Sequence, residues 1–202
     1  MMILIMILAS PRVQRNNYSL RVPGDTVLKL THHDKHSNSS TTTLSSSVRS
    51  WTYENGRRYH AYREGSYVLP NDELEQDRLD MYHHIFQLIL GGKLHICPLD
   101  NPQRILDIGT GTGAWAIDMA DMYPEAEVIG NDLSPIQPRW VPPNLKFEVD
   151  DAEGKWSHQL DSFDLIHLRT MSGCFKDWDE VLTQVYKSVP STPPKYPFSR
   201  GP

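Results

Sequence analysis

The chain has 202 residues, of which 39% are hydrophobic and 22% are charged, and its formal net charge is -5. This length suits one domain with its own core and a flanking tail, and the composition excludes collagen-like, coiled-coil and multi-span membrane proteins. The two cysteines, Cys97 and Cys174, are too far apart in sequence for a disulfide framework or a zinc site, so we expect no bound metal.

The first fifty residues differ in composition from the rest. They hold six Lys and Arg residues against two Asp residues, a net charge of +4, so the remaining residues carry -9. A domain this acidic is poorly suited to grip a phosphate backbone, and we expect no direct binding to nucleic acid. Residues 37–50 are mostly Ser and Thr and cannot bury enough apolar area to fold. Residues 1–50 are therefore predicted to be a disordered, low-complexity tail.

The chain begins with an unbroken apolar run, Met1–Ala9. A membrane-spanning helix needs about 20 residues, so this run predicts no membrane span. A secretory signal would carry positive charge before the run, although the small residues Ala9 and Ser10 fit a cleavage site. Two interpretations stay open: a targeting signal, and an uncleaved or wrongly assigned start.

Residues 51–102 are predicted to form a cap segment that contains one long helix. Asp72 and Glu75 have the spacing of a capping box at its start, and Gly91 with Gly92 ends it. Apolar residues recur at helical spacing and predict one buried face. These residues are Leu74, Met81, Ile85 and Leu88, widened by Leu79, Tyr82, Phe86 and Ile89.

Residues 103–189 alternate between strand and helix patterns. The predicted strands are Arg104–Ile108, Glu127–Asp132, Leu145–Val149 and Phe163–Arg169, and the predicted helices are Ala114–Tyr123 and Asp177–Val189. Strands joined by helices or long loops indicate a parallel, doubly wound α/β sheet.

A glycine-rich loop follows the first of these strands, in the run Asp107-Ile-Gly109-Thr110-Gly111-Thr-Gly113. Gly109 permits a tight turn, Gly111 lets the backbone approach a ligand, and Gly113 lets the next helix pack closely. The helix that follows presents free backbone N–H groups to a ligand. The same run also fits a dinucleotide-binding fingerprint, so a nicotinamide cofactor remains an alternative at this point.

Acidic residues at three strand ends favour a different ligand. A pyrophosphate would repel Asp107, whereas an ammonium group would neutralise it. Asp132 ends the second strand, where a carboxylate can accept ribose hydroxyls. Asp151 and Ala152 follow the third strand and offer a carboxylate and a backbone N–H to an adenine edge. S-adenosylmethionine combines an ammonium, a ribose and an adenine without a phosphate.

The chain resembles the class I S-adenosylmethionine-dependent methyltransferases in the runs DIGTGTG, GNDLS and DDAE. Within that class it resembles the fungal LaeA-like regulators of secondary metabolism, in YENGRRYHAYREGSYVLPNDELEQDRLDMYHH, SPIQPRWVPPN, DDAEGKW and FDLIHLR. The resemblance covers residues 51–189. It implies a Rossmann-like sheet in strand order 3-2-1-4, a helical cap over the cofactor, regulatory protein partners, and a location in the nucleus or cytoplasm.

By position, the resemblance implies a set of cofactor-binding residues. Asp107 would hold the methionine ammonium, Asp132 the ribose hydroxyls, and Leu133 would pack on the adenine. The full set is Asp107, Gly109, Thr110, Gly111, Gly113, Asp132, Leu133, Asp151 and Ala152. No catalytic residue is identified. His167 and Arg169, at the end of the fourth strand, are candidates for acid–base work, with structural roles as the alternative.

The end of the chain departs from the family pattern. Methyltransferases of this class continue with further strands, whereas residues 190–202 are proline-rich and predicted to be irregular. We therefore expect a C-terminally truncated sheet whose fourth strand is an open edge. Two functions follow: methyl transfer to an unidentified protein or small-molecule acceptor, and a cofactor-binding regulator of impaired catalysis that serves as an interaction module in a transcriptional complex.

Overall fold

The computed structural model describes residues 5–9, 51–60 and 69–190. The Ser- and Thr-rich part of the predicted tail and the proline-rich end after residue 190 lie outside the described residues. The proposed domain boundaries therefore stay predictions.

The described elements follow the predicted alternation closely. The strands are β1 (Ile5–Ala9), β2 (Trp51–Glu54), β3 (Arg57–His60), β4 (Arg104–Ile108), β5 (Glu127–Asp132), β6 (Leu145–Val149) and β7 (Leu165–Arg169). The helices are α1 (Glu73–Ile89), α2 (Ala114–Met122) and α3 (Trp178–Ser188). None of these helices has the length and apolar character needed to cross a membrane, within the residues that the structure describes.

The central sheet has the order β1-β7-β4-β5-β6. Its four strands β4 to β7 are parallel to one another, which confirms the predicted order 3-2-1-4 and the α/β class. The register aligns Asp107 of β4 with Gly130 of β5 and with His167 of β7. Asp107 and His167 therefore lie side by side on neighbouring strands, near the carboxyl ends of the sheet.

The outer edge of β7 is covered, which corrects the expectation of an open edge there. Residues Ile5–Ala9, assigned to the disordered tail by composition, form β1 and pair antiparallel with β7. The physical reason is that an uncharged apolar run suits the edge of a buried strand, whose exposed N–H and C=O groups need partners.

A two-stranded hairpin, β2 with β3, precedes the first helix. Its turn places Asn55 and Gly56 at positive φ, a pair typical of tight hairpins. Arg57 of the hairpin donates to the Asp72 carboxylate through Nε at 2.5 Å and Nη2 at 2.9 Å. Asp72 also accepts from the Glu75 backbone N–H at 3.1 Å, so this one residue caps α1 and joins it to the hairpin.

Helix α1 does not bury the face that its apolar pattern predicts. Glu75, His83 and Phe86 are its buried residues, whereas the side chains of Leu74 and Leu88 are 70% and 67% exposed. The prediction is wrong because the apolar pattern marks a wide stripe, and the contacts with α2 and the sheet use only one side of it.

Two apolar clusters lie on opposite faces of the sheet. The cluster on the α2 side contains Ile105, Trp115, Met119, Val128 and Leu165. The cluster on the α3 side contains Leu106, Ile129, Phe163, Ile166 and Val181. Alternate residues along β4 and β7 contribute to the two clusters, as expected for a sheet covered on both faces.

Candidate functional site

Two adjoining cavities open at the carboxyl ends of the parallel strands. The first spans about 920 Å³ including its open mouth, and the second about 450 Å³. Ligands of open α/β sheets bind beyond the carboxyl ends of the strands, where these cavities lie. Residues of the predicted set line the cavities: Asp107, Gly109, Thr110, Gly111, Asp132, Leu133, Asp151 and Ala152.

The glycine loop between β4 and α2 separates the two cavities. Gly109 and Gly113 have φ values of +66° and +84°, a conformation that L side chains rarely adopt. A Cβ atom at Gly113 would lie 2.8 Å from Cε1 of Phe147, so the glycine also permits the start of α2 to pack on β6. A Cβ atom at Gly109 would contact the side chain of Met171.

Asp132 connects the glycine loop to the loop after β5. Its Oδ2 accepts from the Gly111 N–H and its Oδ1 from the Ser134 N–H, both at 2.9 Å. Gln137 supports the same junction, donating from Nε2 to the Gly111 carbonyl at 2.7 Å and to the Ser134 carbonyl at 2.9 Å. The carboxylate is thus fixed in orientation at the rim of the first cavity.

The environment of Asp132 disfavours its charged form. Burial raises the pKa of this carboxyl to about 6, against the opposing effect of the Ser134 and Gly111 backbone amides. Asp107 adds a smaller like-charge contribution that also raises the pKa. The carboxyl group therefore changes its protonation state at about pH 6.

Asp107 lies buried beneath the second cavity and is held from two sides. His167 Nδ1 donates to its Oδ1 at 2.6 Å, and the Thr110 hydroxyl donates to its Oδ2, also at 2.6 Å. The His167 ring stacks on the Trp115 ring, with centroids 3.7 Å apart and planes 7° apart. Burial lowers the pKa of His167. The neutral imidazole is thus clamped between a carboxylate and an indole, which fits its structural alternative better than acid–base work.

Arg169 lies two positions beyond His167, on the same face of β7. Its Nη2 donates to Nδ1 of His83 at 3.0 Å, and its guanidinium lies 4.9 Å from the centroid of the Phe86 ring. His83 Nε2 donates in turn to Oδ2 of Asp118 at 2.8 Å. Because Nδ1 accepts and Nε2 donates, the neighbours select one neutral tautomer of His83.

The lining of the first cavity is acidic. Asp150, Asp151 and Glu153 line it together with Asp132, and its described lining residues include no Lys or Arg. Leu133 and Ala152 supply apolar surface there. The arrangement can accept hydrogen bonds from hydroxyl and amino groups, and it repels an anionic ligand.

The sequence did not predict the residues that join the cap segment to the loops at the carboxyl ends of the parallel strands. Asn71, after the cap's hairpin, donates from Nδ2 to Oγ of Ser134 at 3.3 Å. Thr112 of the glycine loop donates to Oδ1 of Asp80 on α1 at 2.6 Å. Asp80 lies in a helical pattern that gives no indication of its partner, because such contacts depend on tertiary placement.

Gly113, Cys174 and the question of a metal site remain from the sequence analysis. Gly113 supports the helix start and lines neither cavity. Cys174 lines the first cavity, and burial raises the pKa of its thiol to about 11. Within the described residues, no group of three or more His, Cys, Asp or Glu side chains could hold a metal ion.

The family model and the relatives found by comparison with known proteins agree on one family. The family model for a methyltransferase domain matches residues 81–193, more than half of the chain. A protein named methyltransferase pytC, from Aspergillus terreus, is 53% identical over 150 residues, which are 73% of this chain and 46% of that protein.

Two further relatives carry regulatory or substrate-specific names. Secondary metabolism regulator LAE1 from Cochliobolus heterostrophus is 50% identical over 138 residues, 66% of this chain and 45% of that protein. Protein-methionine methyltransferase laeA from Emericella nidulans is 44% identical over 135 residues, 66% of this chain and 36% of that protein. The chain thus spans less than half the length of these curated relatives.

Proposed function

The chain belongs to the methyltransferase-domain family, among its LaeA-like class I members, and we propose that it binds S-adenosylmethionine and transfers the methyl group to an acceptor. The observation that carries the proposal is the junction at Asp132. There a carboxylate fastens the glycine loop and faces a cavity rich in acceptors and poor in cations.

The residues of the two cavities fit this cofactor. An adenosine offers two ribose hydroxyls and an adenine amino group, which suit the carboxylates of Asp132 and Asp151. A buried carboxylate, Asp107, suits an ammonium group beside the second cavity. A pyrophosphate has no Lys or Arg to meet it among the described residues of the first cavity, which disfavours a nicotinamide dinucleotide.

The chemistry asked of the chain itself is positioning. When bound, S-adenosylmethionine supplies a methyl group on a positively charged sulfur, ready for a nucleophile. Asp107 and His167 hydrogen-bond to each other, and Asp132 is bonded to two backbone amides. These side chains therefore orient groups, and proton transfer is not their task.

A methionine thioether is the acceptor that we propose. The Emericella nidulans relative is named a protein-methionine methyltransferase, and this chain has a methionine of its own in the cavity, Met171. Its side chain lies against Gly109 of the glycine loop. A thioether sulfur has a free lone pair and no proton, so its methylation forms a sulfonium and requires no general base.

Labelling tests both the activity and the acceptor. With cofactor carrying a tritiated methyl group, we expect the 202-residue chain to label itself and Met171→Leu to lose most of the label. Leucine conserves the volume, so the fold should tolerate the change. Met81→Leu is the matched control, because the Met81 side chain is 61% exposed on α1 and lines neither cavity. Hot alkali should release the label as dimethyl sulfide, as a methylated thioether requires.

Other outcomes separate the remaining functions. Label that persists in Met171→Leu contradicts Met171 as acceptor and assigns the transfer elsewhere. Cofactor binding without transfer to the chain, to added protein or to small molecules supports the second candidate, a non-catalytic regulator. The regulator name of the Cochliobolus heterostrophus relative favours a role in controlling secondary metabolism for either candidate. Since S-adenosylmethionine is made inside cells, we expect the protein in the nucleus or cytoplasm.

Cofactor affinity should depend on pH through Asp132. The ribose hydroxyls need the carboxylate form, and burial raises the pKa of Asp132 to about 6. As the pH falls below that value, the dissociation constant of S-adenosylhomocysteine should rise by about tenfold per unit, with a plateau above neutral pH. Titration calorimetry at pH 6 in buffers of different ionisation enthalpy should detect proton release on binding. Identical affinities at pH 5 and pH 7.5 would contradict this role.

A further inference from the structure

Arg169 is the one Lys or Arg residue among the described residues that line either cavity. It borders the second cavity, beyond the glycine loop from the acidic first cavity. An anionic group of any ligand at this edge of the sheet therefore has a single strong cationic partner within the described residues.

The guanidinium is held in place without a carboxylate partner. Among the described residues, it makes no salt bridge; its side-chain hydrogen bond goes to Nδ1 of His83 at 3.0 Å. His83 is itself fixed by Asp118, which also accepts from Nε2 of Gln87 at 2.7 Å. The guanidinium has five N–H donors, and its hydrogen bond to His83 uses one of them.

The same cavity holds one negative group on the neighbouring strand. Asp107 of β4 pairs in register with His167, and Arg169 follows two positions later on the same face of β7. The second cavity thus combines one carboxylate with one guanidinium, whereas the first has four carboxylates and no Lys or Arg. Mixed charge of this kind matches a zwitterion, and the α-amino-acid end of a ligand is one.

We propose that Arg169 binds the carboxylate of the cofactor's methionyl end, opposite the ammonium at Asp107, and so selects ligands with an intact amino-acid end. The proposal rests on the proposed function and assigns the residue that reads this end. A planar guanidinium can meet a carboxylate with two parallel hydrogen bonds, which a lysine cannot do. Arg169 then has a binding role, in place of the acid–base role that its position on the fourth strand suggests.

Two ligands test this in the full chain by titration calorimetry. One is S-adenosylhomocysteine; the other is 5′-deoxy-5′-(3-aminopropylthio)adenosine, which has the same nucleoside, thioether and ammonium but no carboxylate. The unchanged protein should prefer S-adenosylhomocysteine by about tenfold or more. Arg169→Gln should abolish this preference by weakening S-adenosylhomocysteine alone, and Arg169→Lys should retain part of it.

The control is Arg104→Gln, which removes an arginine at the opposite end of the sheet, where Arg104 Nε donates to Glu127 at 2.7 Å. It should leave both affinities unchanged. Equal weakening of both ligands by Arg169→Gln, or no change in either, would overturn the proposal and assign Arg169 a purely structural role. Should Arg169→Gln not fold, an unaltered preference in Arg169→Lys overturns it as well. Binding of neither ligand by the unchanged protein contradicts the proposed function, and the inference falls with it.

Discussion

Replacing Asp132 by asparagine is expected to weaken S-adenosylhomocysteine binding by at least about tenfold, which corresponds to about 1.4 kcal/mol. The carboxylate accepts from the backbone N–H groups of Gly111 and Ser134, and Asp132 lines the first cavity. An asparagine amide would bring an NH₂ group against one of these backbone donors. The variant would lose both an acceptor for the ribose and the fastening of the glycine loop.

Titration calorimetry measures the effect, and two comparisons isolate it. Asp121→Asn makes the same chemical change at an exposed position of α2 and should leave the affinity unaltered. The 2′-deoxy analogue of S-adenosylhomocysteine lacks one ribose hydroxyl, so Asp132→Asn should weaken this ligand less than the parent. An affinity within about twofold of the unchanged protein for Asp132→Asn would refute the ribose role, since a lost charged hydrogen bond costs more.

The arrangement of the parallel strands β4 to β7, which carry the predicted cofactor-binding residues, follows from local patterns in the sequence. The apolar runs around Leu106, Ile129 and Ile166 are buried on both sides of the sheet, so they predict parallel strands. Strand order then requires Asp107 and Asp132 to lie at the same edge. This level of structure is predictable because a strand's direction determines where its last residue lies.

The side-chain contacts at the carboxyl ends of the strands could be identified only from the folded structure. The stacking of Trp115 on His167 and the bond from Arg169 to His83 join residues far apart in the chain. Side-chain pairs of this kind leave no periodic signal, because they depend on how helices α1 and α2 cross the sheet. Met171 likewise gives no local indication that its side chain meets Gly109.

The β2–β3 hairpin and strand β1 differ in how well the sequence alone predicts them. The pair Asn55-Gly56 is a known hairpin signal, so β2 and β3 could have been predicted from the sequence. Strand β1 could not, because an apolar run of this length fits a strand, a buried helix segment or a targeting signal equally well. Its assignment depends on the edge that β7 offers.

Of the substitutions proposed for this chain, Trp115→Ala should cause the largest loss of stability, about 3–5 kcal/mol in the free energy of unfolding. The side chain is 1% exposed in the cluster between α2 and the sheet. Its Nε1 donates to the carbonyl of Leu94 at 2.9 Å, and its ring supports His167. The alanine variant leaves a cavity, an unpaired carbonyl and a histidine without its stacking partner, so the Asp107 carboxylate should also lose its fixed orientation.

Chemical denaturation followed by circular dichroism measures this loss, with Trp140→Ala as the matched control. The Trp140 side chain is 95% exposed, so its removal should change stability by no more than about 0.5 kcal/mol. Trp115→Phe separates packing from hydrogen bonding, because it keeps an aromatic ring on His167 and removes the donor to Leu94; its loss should be about 1–3 kcal/mol. Similar denaturation midpoints for Trp115→Ala and Trp140→Ala would contradict the role of Trp115 as a core residue. They would also contradict its support of His167 and, through His167, of Asp107.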